Sequence, residues 1–240
     1  VASLNRRFNR NVQYGVSYTW SHCIDNSSST SGLEGGQPIM EAYNASRDRG
    51  NCLFDRRQNL TLNSLVALPF KGTFVGHQII EGWQLSGIFT ARTGQPFTPT
   101  VGFDVSGAQP SYAGSVRPDL VPGRTADDIT KGLISGYFDR TAFAAPAFGT
   151  FGNLGRNVLR GPGYVNLDFS MNKETKINED LTIQFRAETF NTLNHPNYAL
   201  PATGVFTLSG GNTAYNPTAG RITATAAAAR QIQFALKFIF

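Results

Sequence analysis

The last residues of the chain alternate between apolar and polar positions. Large apolar side chains occupy every second position from Ile232 to Phe240, and the positions between them carry Gln231, Gln233, Ala235, Lys237 and Ile239. This period of two predicts a β-strand of about ten residues with one strongly apolar face. At the edge of a sheet in water such a strand would promote aggregation, whereas in a closed barrel its apolar face contacts hydrocarbon. The pattern therefore favours a transmembrane β-strand.

The same alternation recurs in earlier segments, over residues 12–21, 59–68, 83–92, 165–172 and 181–188, with a partial strand over 1–8. Short links near residues 9–11, 70–79 and 174–180 alternate with long loops over about 25–57, 93–162 and 191–229. Short turns at one end and long loops at the other are typical of outer-membrane barrels. We therefore predict an all-β fold, an antiparallel transmembrane β-barrel fragment of about seven strands with long extracellular loops.

Composition supports this class of protein. Charged residues form 15 % of the 240 residues and aromatic residues 12 %, with 18 Phe and 25 Gly, as expected for many strands, turns and aromatic girdles. No apolar run reaches the length of about 18 residues that a transmembrane helix needs. The net charge of +5 comes from basic residues scattered along the chain. We therefore predict that these residues lie in solvated loops and that nucleic acid is not a partner.

The strand count bears on the size of the barrel. Single-chain bacterial barrels use an even number of strands, with both chain ends on the periplasmic side of the membrane. About seven strands therefore cannot close such a barrel. We expect residues 1–240 to be the C-terminal portion of a larger barrel, with the export signal upstream and without the domains that precede the barrel.

Cys23 and Cys52 flank a long polar segment rich in Ser, Gly and Asn. They do not form a C-x-x-C pair, and no cluster of His accompanies them. A disulfide at the base of a loop in an oxidising compartment is favoured over a metal site. The spacing of a calcium-binding loop is absent from the acidic residues nearby, Glu34, Glu41, Asp48 and Asp55.

Three charged residues lie on the predicted polar faces of two adjacent strands: Asp168, Arg186 and Glu188. If the hairpin centres on Ile177, Asp168 lies directly across from Arg186, and we predict a lumen ion pair that stiffens the wall. The alternative role is contact with a substrate. The opposite, lipid-facing side is predicted to carry aromatic residues, some of them in an interfacial girdle, namely Tyr14, Tyr18, Trp20, Trp83, Phe89, Phe169 and Phe185.

The sequence predicts no catalytic residue, metal or cofactor, and hence no enzyme. The glycine-rich segments at 155–157 and 161–163 lack the Lys and Ser or Thr of a phosphate-binding loop, and no G-x-S-x-G motif occurs. His22, His77 and His195 are isolated from one another. We expect them to pack in turns or at interfaces.

Several stretches, taken in order, resemble one known family. They include the segment Arg49-Gly50-Asn51-Cys52-Leu53-Phe54-Asp55-Arg56-Arg57, and the others lie at residues 18–22, 82–87, 93–98, 149–157, 160–163, 185–191, 194–197 and 230–237. Together they resemble the C-terminal part of the barrel of Oar-like TonB-dependent receptors, over nearly the whole chain. Members of that family usually carry an N-terminal carboxypeptidase-regulatory-like domain, a plug and a barrel of about 22 strands.

The resemblance implies a protein of the bacterial outer membrane that takes up, or binds at the surface, an unidentified substrate. Its expected partners are outer-membrane lipid, the barrel-assembly machinery, the substrate, and the TonB complex through regions that lie outside this segment. It also implies that the terminal strand is an assembly signal carried by Phe234, Leu236, Phe238 and Phe240. A passive channel or a surface adhesin without a plug is the alternative. A secreted β-sandwich that binds glycans fits the long loops poorly.

Overall fold

The computed structural model describes residues 1–9, 11–28, 39–41, 43–71, 77–107 and 116–240. Its main element is one antiparallel sheet of seven strands that lie side by side in chain order. The strands are β1 (Ala2–Asn9), β2 (Val12–Trp20), β3 (Gln58–Ala67), β4 (Trp83–Arg92), β5 (Tyr164–Lys176), β6 (Thr182–Phe190) and β7 (Gln231–Ile239). All predicted strands are present. Within the described residues β1 does not pair with β7, so the sheet is open and does not close a barrel.

One face of this sheet is mainly apolar on all seven strands, and its charged residues Arg6 and Lys173 lie near the end with the short links. The cross-strand registers align Val16 with Leu62, Leu62 with Phe89, and Phe89 with Leu167. By the same registers, this face carries Tyr14, Tyr18, Trp20, Trp83, Phe89, Phe169, Phe185, Phe234, Leu236 and Phe238. We call it the outer face, and we call the opposite side the polar face. The predicted lipid-facing residues thus share one surface.

No layer of protein covers the outer face on β7. Phe234 is 71 % exposed and Leu236 is 58 % exposed, and Phe240, which follows the strand, is 94 % exposed. Leaving such side chains in water forfeits about 25 cal/mol for each Å² of apolar surface. A contiguous apolar surface of this kind marks contact with a partner or with lipid.

Connections at the two ends of the sheet differ in length, as predicted. At one end the strands are joined by residues 10–11, 68–82 and 177–181, of which the second contains the short α-helix His77–Ile80. At the other end lie three long connections, which we call the first loop (21–57), the second loop (93–163) and the third loop (191–230).

The hairpin of β5 and β6 does not have the predicted register. Asn172, rather than Asp168, lies across from Arg186, so the hairpin centres on Glu179. Asn178 fixes this turn, because its Oδ1 accepts hydrogen bonds from the backbone N–H groups of Asp180 and Leu181 at 3.1 and 2.7 Å. The predicted pairing of Asp168 with Arg186 is therefore wrong. Both residues still lie on the polar face, because the register differs by an even number of residues.

The long loops contain secondary structure of their own. In the parts of these loops that the structure describes, short antiparallel strand pairs join Ile24–Asp25 with Gly50–Asn51, Pro96–Phe97 with Leu159–Arg160, Asp119–Leu120 with Phe143–Ala144, Thr130–Leu133 with Gly136–Phe138, and Phe206–Ser209 with Asn212–Tyr215. Among the described residues of these loops, the short helices are the α-helix Ala126–Ile129 and the 3₁₀ helices Ala45–Asp48 and Arg140–Ala142. Of the helices in the described ranges, none is long and apolar enough to cross a membrane.

A hydrophobic core lies in the second and third loops rather than in the sheet. Its buried residues are Phe97, Val101, Val105, Val116, Ile129, Tyr137, Phe138, Ala142, Phe143, Leu154, Leu159, Val205, Phe206, Ala219 and Ile222. The second and third connections, which the sequence predicts only as long loops, are therefore folded and packed together. We call the packed residues 93–107, 116–163 and 191–230 the loop cap.

Candidate functional site

Backbone hydrogen bonds join the two halves of the loop cap. The N–H of Thr100 donates to the carbonyl oxygen of Thr203 at 2.9 Å, and the N–H of Val205 donates back to Thr100 at 2.8 Å. Aromatic rings pack within it, with Phe138 edge-on to Phe143 at 5.8 Å between ring centroids. Because the hydrogen bonds of Thr100 with Thr203 and Val205 link segments far apart in the chain, the second and third loops form one packed body.

The first loop is closed at its base by a disulfide between Cys23 and Cys52, whose Cα atoms lie 5.4 Å apart. The N–H of Cys52 also donates to the carbonyl oxygen of Cys23 at 3.0 Å. In the described ranges, the group with metal-ligand spacing consists of these two residues and Asp25. The two sulfurs are bonded to each other and Asp25 is ion-paired with Arg156, so these groups are already engaged.

A buried ion pair fixes the first loop against the second. Arg117 Nη1 lies 2.6 Å from Asp48 Oδ1, and the two side chains are 3 % and 0 % exposed. Arg117 also donates to the carbonyl oxygens of Leu154 and Arg47, at 2.8 and 2.9 Å. The remaining oxygen of Asp48 accepts the N–H of Met40 at 3.1 Å. Every part of this pair is thus hydrogen-bonded, as a buried charge requires.

A second buried arginine lies beside this pair. Arg156 Nε donates to the carbonyl oxygen of Asp48 at 2.6 Å, and its Nη2 pairs with the carboxylate of Asp25. Next to it, Asn157 and Asn51 exchange hydrogen bonds, each side-chain amide donating to the other's carbonyl oxygen at 2.6 and 2.9 Å. The prediction that Arg156 lies in a solvated loop is therefore wrong.

Five arginines gather where the first and second loops meet the ends of β3, β4 and β5. Two of them hold Asp55, which is 2 % exposed and whose Oδ2 lies 3.0 Å from Arg57 Nε and 2.7 Å from Arg160 Nη2. We call these arginines the basic rim: Arg49, Arg56, Arg57, Arg92 and Arg160.

The electrostatics of the basic rim follow from this crowding. Burial raises the pKa of Asp55. The hydrogen bonds from Arg160 and from the N–H of Cys23, together with the charges of Arg160 and Arg57, lower this pKa by more than burial raises it, so the net shift is downward. Asp55 therefore remains a carboxylate at neutral pH. Burial and the positive charges of Arg92 and Arg160 lower the pKa of Arg56.

The predicted charged residues of the lumen wall line one concavity on the polar face, of about 300 Å³. Arg186 Nη1 lies 3.7 Å from Glu188 Oε1 on the same strand, and Arg186 Nε donates to Asn172 Oδ1 at 3.0 Å. Asp168 instead accepts the N–H of Asn191 at 2.9 Å. The structure thus brings the three residues together, but it pairs Arg186 with Glu188 and not with Asp168.

The remaining residues singled out in the sequence have ordinary partners. His22 lies 3.2 Å from the amide oxygen of Asn51, and the N–H of His195 donates to Asn191 Oδ1 at 3.0 Å. Glu41 is ion-paired with Arg47. Glu34 and the side chain of His77 lie outside the described residues.

A lipid-ready face on one side of an antiparallel sheet, a polar face on the other, and long folded loops at one end together define the wall of an outer-membrane barrel. A family model for an outer membrane beta barrel domain matches residues 1–233. The chain therefore belongs to that family, and it is a protein of the bacterial outer membrane. No curated protein matches the chain, and no solved structure does.

Proposed function

We propose that this chain is the C-terminal part of an Oar-like, TonB-dependent receptor that takes up a substrate or binds it at the cell surface. The loop cap carries the proposal. A passive pore needs only a water-filled lumen, whereas a receptor needs groups held in place before the substrate arrives. Here the loops that would face the exterior are held by a hydrophobic core and by the buried pair of Arg117 with Asp48.

Each surface has a part in this proposal. The outer face contacts lipid, the polar face lines the path through the barrel, and the loop cap makes the first contact with the substrate. We assign no chemical catalysis to the chain, because its buried carboxylates Asp48 and Asp55 are held in ion pairs with arginines rather than placed as a general base. Strand β7 presents the side chains that the assembly machinery would bind, and energy would reach the receptor from the TonB complex.

Conductance of the full-length protein separates a receptor from a passive channel. We expect the purified protein, inserted into a planar lipid bilayer, to show no lasting ion conductance, because a plug would fill the lumen. We also expect deletion of the TonB complex to abolish energy-dependent uptake of the substrate, measured as growth on that substrate or as its accumulation in the cell. A stable open pore, or uptake that is independent of TonB, would show that the barrel is a passive channel instead.

A further inference from the structure

The basic rim carries more positive charge than its carboxylate can balance. Asp55 forms ion pairs with two of the five arginines, Arg57 and Arg160. The charges of Arg92 and Arg160 act on Arg56, and Arg49 lines a cavity together with Arg57. In the ranges that the structure describes, no carboxylate lies within ion-pairing distance of Arg49, Arg56 or Arg92. Like charges held close together repel one another, and a bound anion removes that repulsion.

The arginines are also held in position. Arg56 Nη2 donates to the amide oxygen of Gln95 at 2.9 Å, and the guanidinium of Arg92 stacks 4.4 Å above the ring centroid of Tyr164. These partners are neutral, so they orient each guanidinium without cancelling its charge. A ligand that binds to groups already oriented loses less of its binding energy to ordering the site.

Position in the sheet indicates where the ligand comes from. Arg92 pairs across the sheet with Asn59 and Tyr164, and all three lie on the polar face, away from the lipid-ready side chains. Beside the rim is a cavity of about 360 Å³ to which Arg49 and Arg57 contribute, together with His22 and Asn51. Arg92 on the polar face, and Arg49 and Arg57 at the cavity, therefore lie on the aqueous side of the sheet and not on the side that faces the bilayer.

We propose that the basic rim binds the oxyanion groups, carboxylate or phosphate, of a water-soluble anionic ligand. This inference rests on the proposed function, because it makes that ligand the receptor's substrate. Planar guanidinium groups suit this chemistry, because each can donate two parallel hydrogen bonds to a carboxylate or a phosphate. Arg92 and Arg56 would contact the ligand, while Asp55 holds Arg57 and Arg160 in place beside it.

The test uses the full-length protein in a zwitterionic detergent free of lipopolysaccharide, titrated calorimetrically with citrate and with inositol hexakisphosphate. We expect at least one of these anions to bind, with an affinity that falls as the salt concentration rises. Arg92→Gln and Arg56→Gln should each weaken binding about tenfold or more, since each removes a charge-assisted contact. Arg92→Lys, which keeps the charge, should weaken it less than Arg92→Gln.

The matched control is Arg7→Gln, which removes the same charge from an exposed position on β1, at the end of the sheet that carries the short links and outside the loop cap. It should change the affinity less than about twofold, as expected for a distant exposed charge.

The proposal is wrong if neither anion binds, if the control weakens binding as much as Arg92→Gln, or if the protein binds only to vesicles that contain lipid A. If anion binding depends on Arg92 but the barrel conducts ions passively, the anion site is supported and the receptor function is contradicted. If uptake needs TonB but neither anion binds, the receptor function is supported and the anion site is contradicted.

Discussion

A buried ion pair holds the first loop against the loop cap. Asp48 and Arg117 are almost inaccessible to water, so the loss of one leaves the other as an unpaired charge in the interior. Removing one partner of a buried pair typically costs about 3–5 kcal/mol, much more than an exposed pair contributes.

We therefore expect Asp48→Asn to release the first loop, which amide hydrogen exchange over residues 43–52 would detect as faster exchange. The matched control is Asp127→Asn, because Asp127 is exposed, and its effect should stay within about 0.5 kcal/mol. Equal effects of the two substitutions would mean that the buried pair does not hold the loop.

Asp139 makes the stability of the loop cap depend on pH. Hydrogen bonds from the hydroxyl of Thr141 and from Arg124 lower the pKa of Asp139 to about 2, against the effect of burial. Since this value lies below the ordinary 3.8, the carboxylate stabilises the fold above pH 3.8, and the contribution is lost as the pH falls through 2.

The expected loss is about 1–2 kcal/mol after allowance for partial exposure. Hydrogen exchange over residues 136–144, corrected for the intrinsic dependence on pH, should accelerate between pH 4 and pH 2 in the native protein. In Asp139→Asn it should be fast at both values. A native protein with the same protection at both values would contradict the assignment.

At the scale of the elements, the register of the hairpin formed by β5 and β6 can be tested by cross-linking. Asn172 and Arg186 lie directly opposite each other, and opposed Cα atoms in an antiparallel pair are about 4.5–5.5 Å apart, within the reach of a disulfide. We expect Asn172→Cys with Arg186→Cys to oxidise to a linked hairpin, detected by mass spectrometry after proteolysis. Asp168→Cys with Arg186→Cys should not, because about 13 Å of strand then separates the two positions.

The strands were predictable from the sequence, and the register was not. The alternation of Val12 to Trp20 is a local pattern, because each residue's face depends only on its parity within the strand. The register of β5 and β6 depends instead on how Asn178 closes the turn, and alternation looks the same after any even shift.

The packing of the loops could not be read in the same way. Phe97, Phe143 and Phe206 meet in one core, but they lie far apart in the chain among glycines and prolines and follow no period. Arg156 and Arg160 looked like scattered surface charges, because their partners Asp25 and Asp55 lie more than one hundred residues away. Only the loop-closing cysteines, Cys23 and Cys52, carried a signal for the first loop in the sequence.

Across the whole molecule, the outer face is one surface that extends over seven strands. Phe234, on β7, lies on it, and its ring stacks on Phe185 with the centroids 6.2 Å apart. A positive charge at mid-depth on such a face typically costs about 2–4 kcal/mol.

We expect Phe234→Arg to lower the amount of folded protein in outer-membrane fractions, measured as the band that resists unfolding in cold detergent. Gln233→Arg places the same charge one residue away on the polar face, opposite Glu188, and should leave that amount nearly unchanged. If both substitutions reduce assembly equally, the outer face does not contact lipid.

The sheet and the loop cap are stabilised by different solvents. The buried apolar residues of the cap pack against one another and are driven together by water, while the sheet keeps its apolar side chains on the surface for the bilayer. A change of lipid or detergent should therefore alter the melting of the sheet and leave the cap intact. Urea, which weakens burial from water, should open the cap first, so that one polypeptide would denature in two separate transitions.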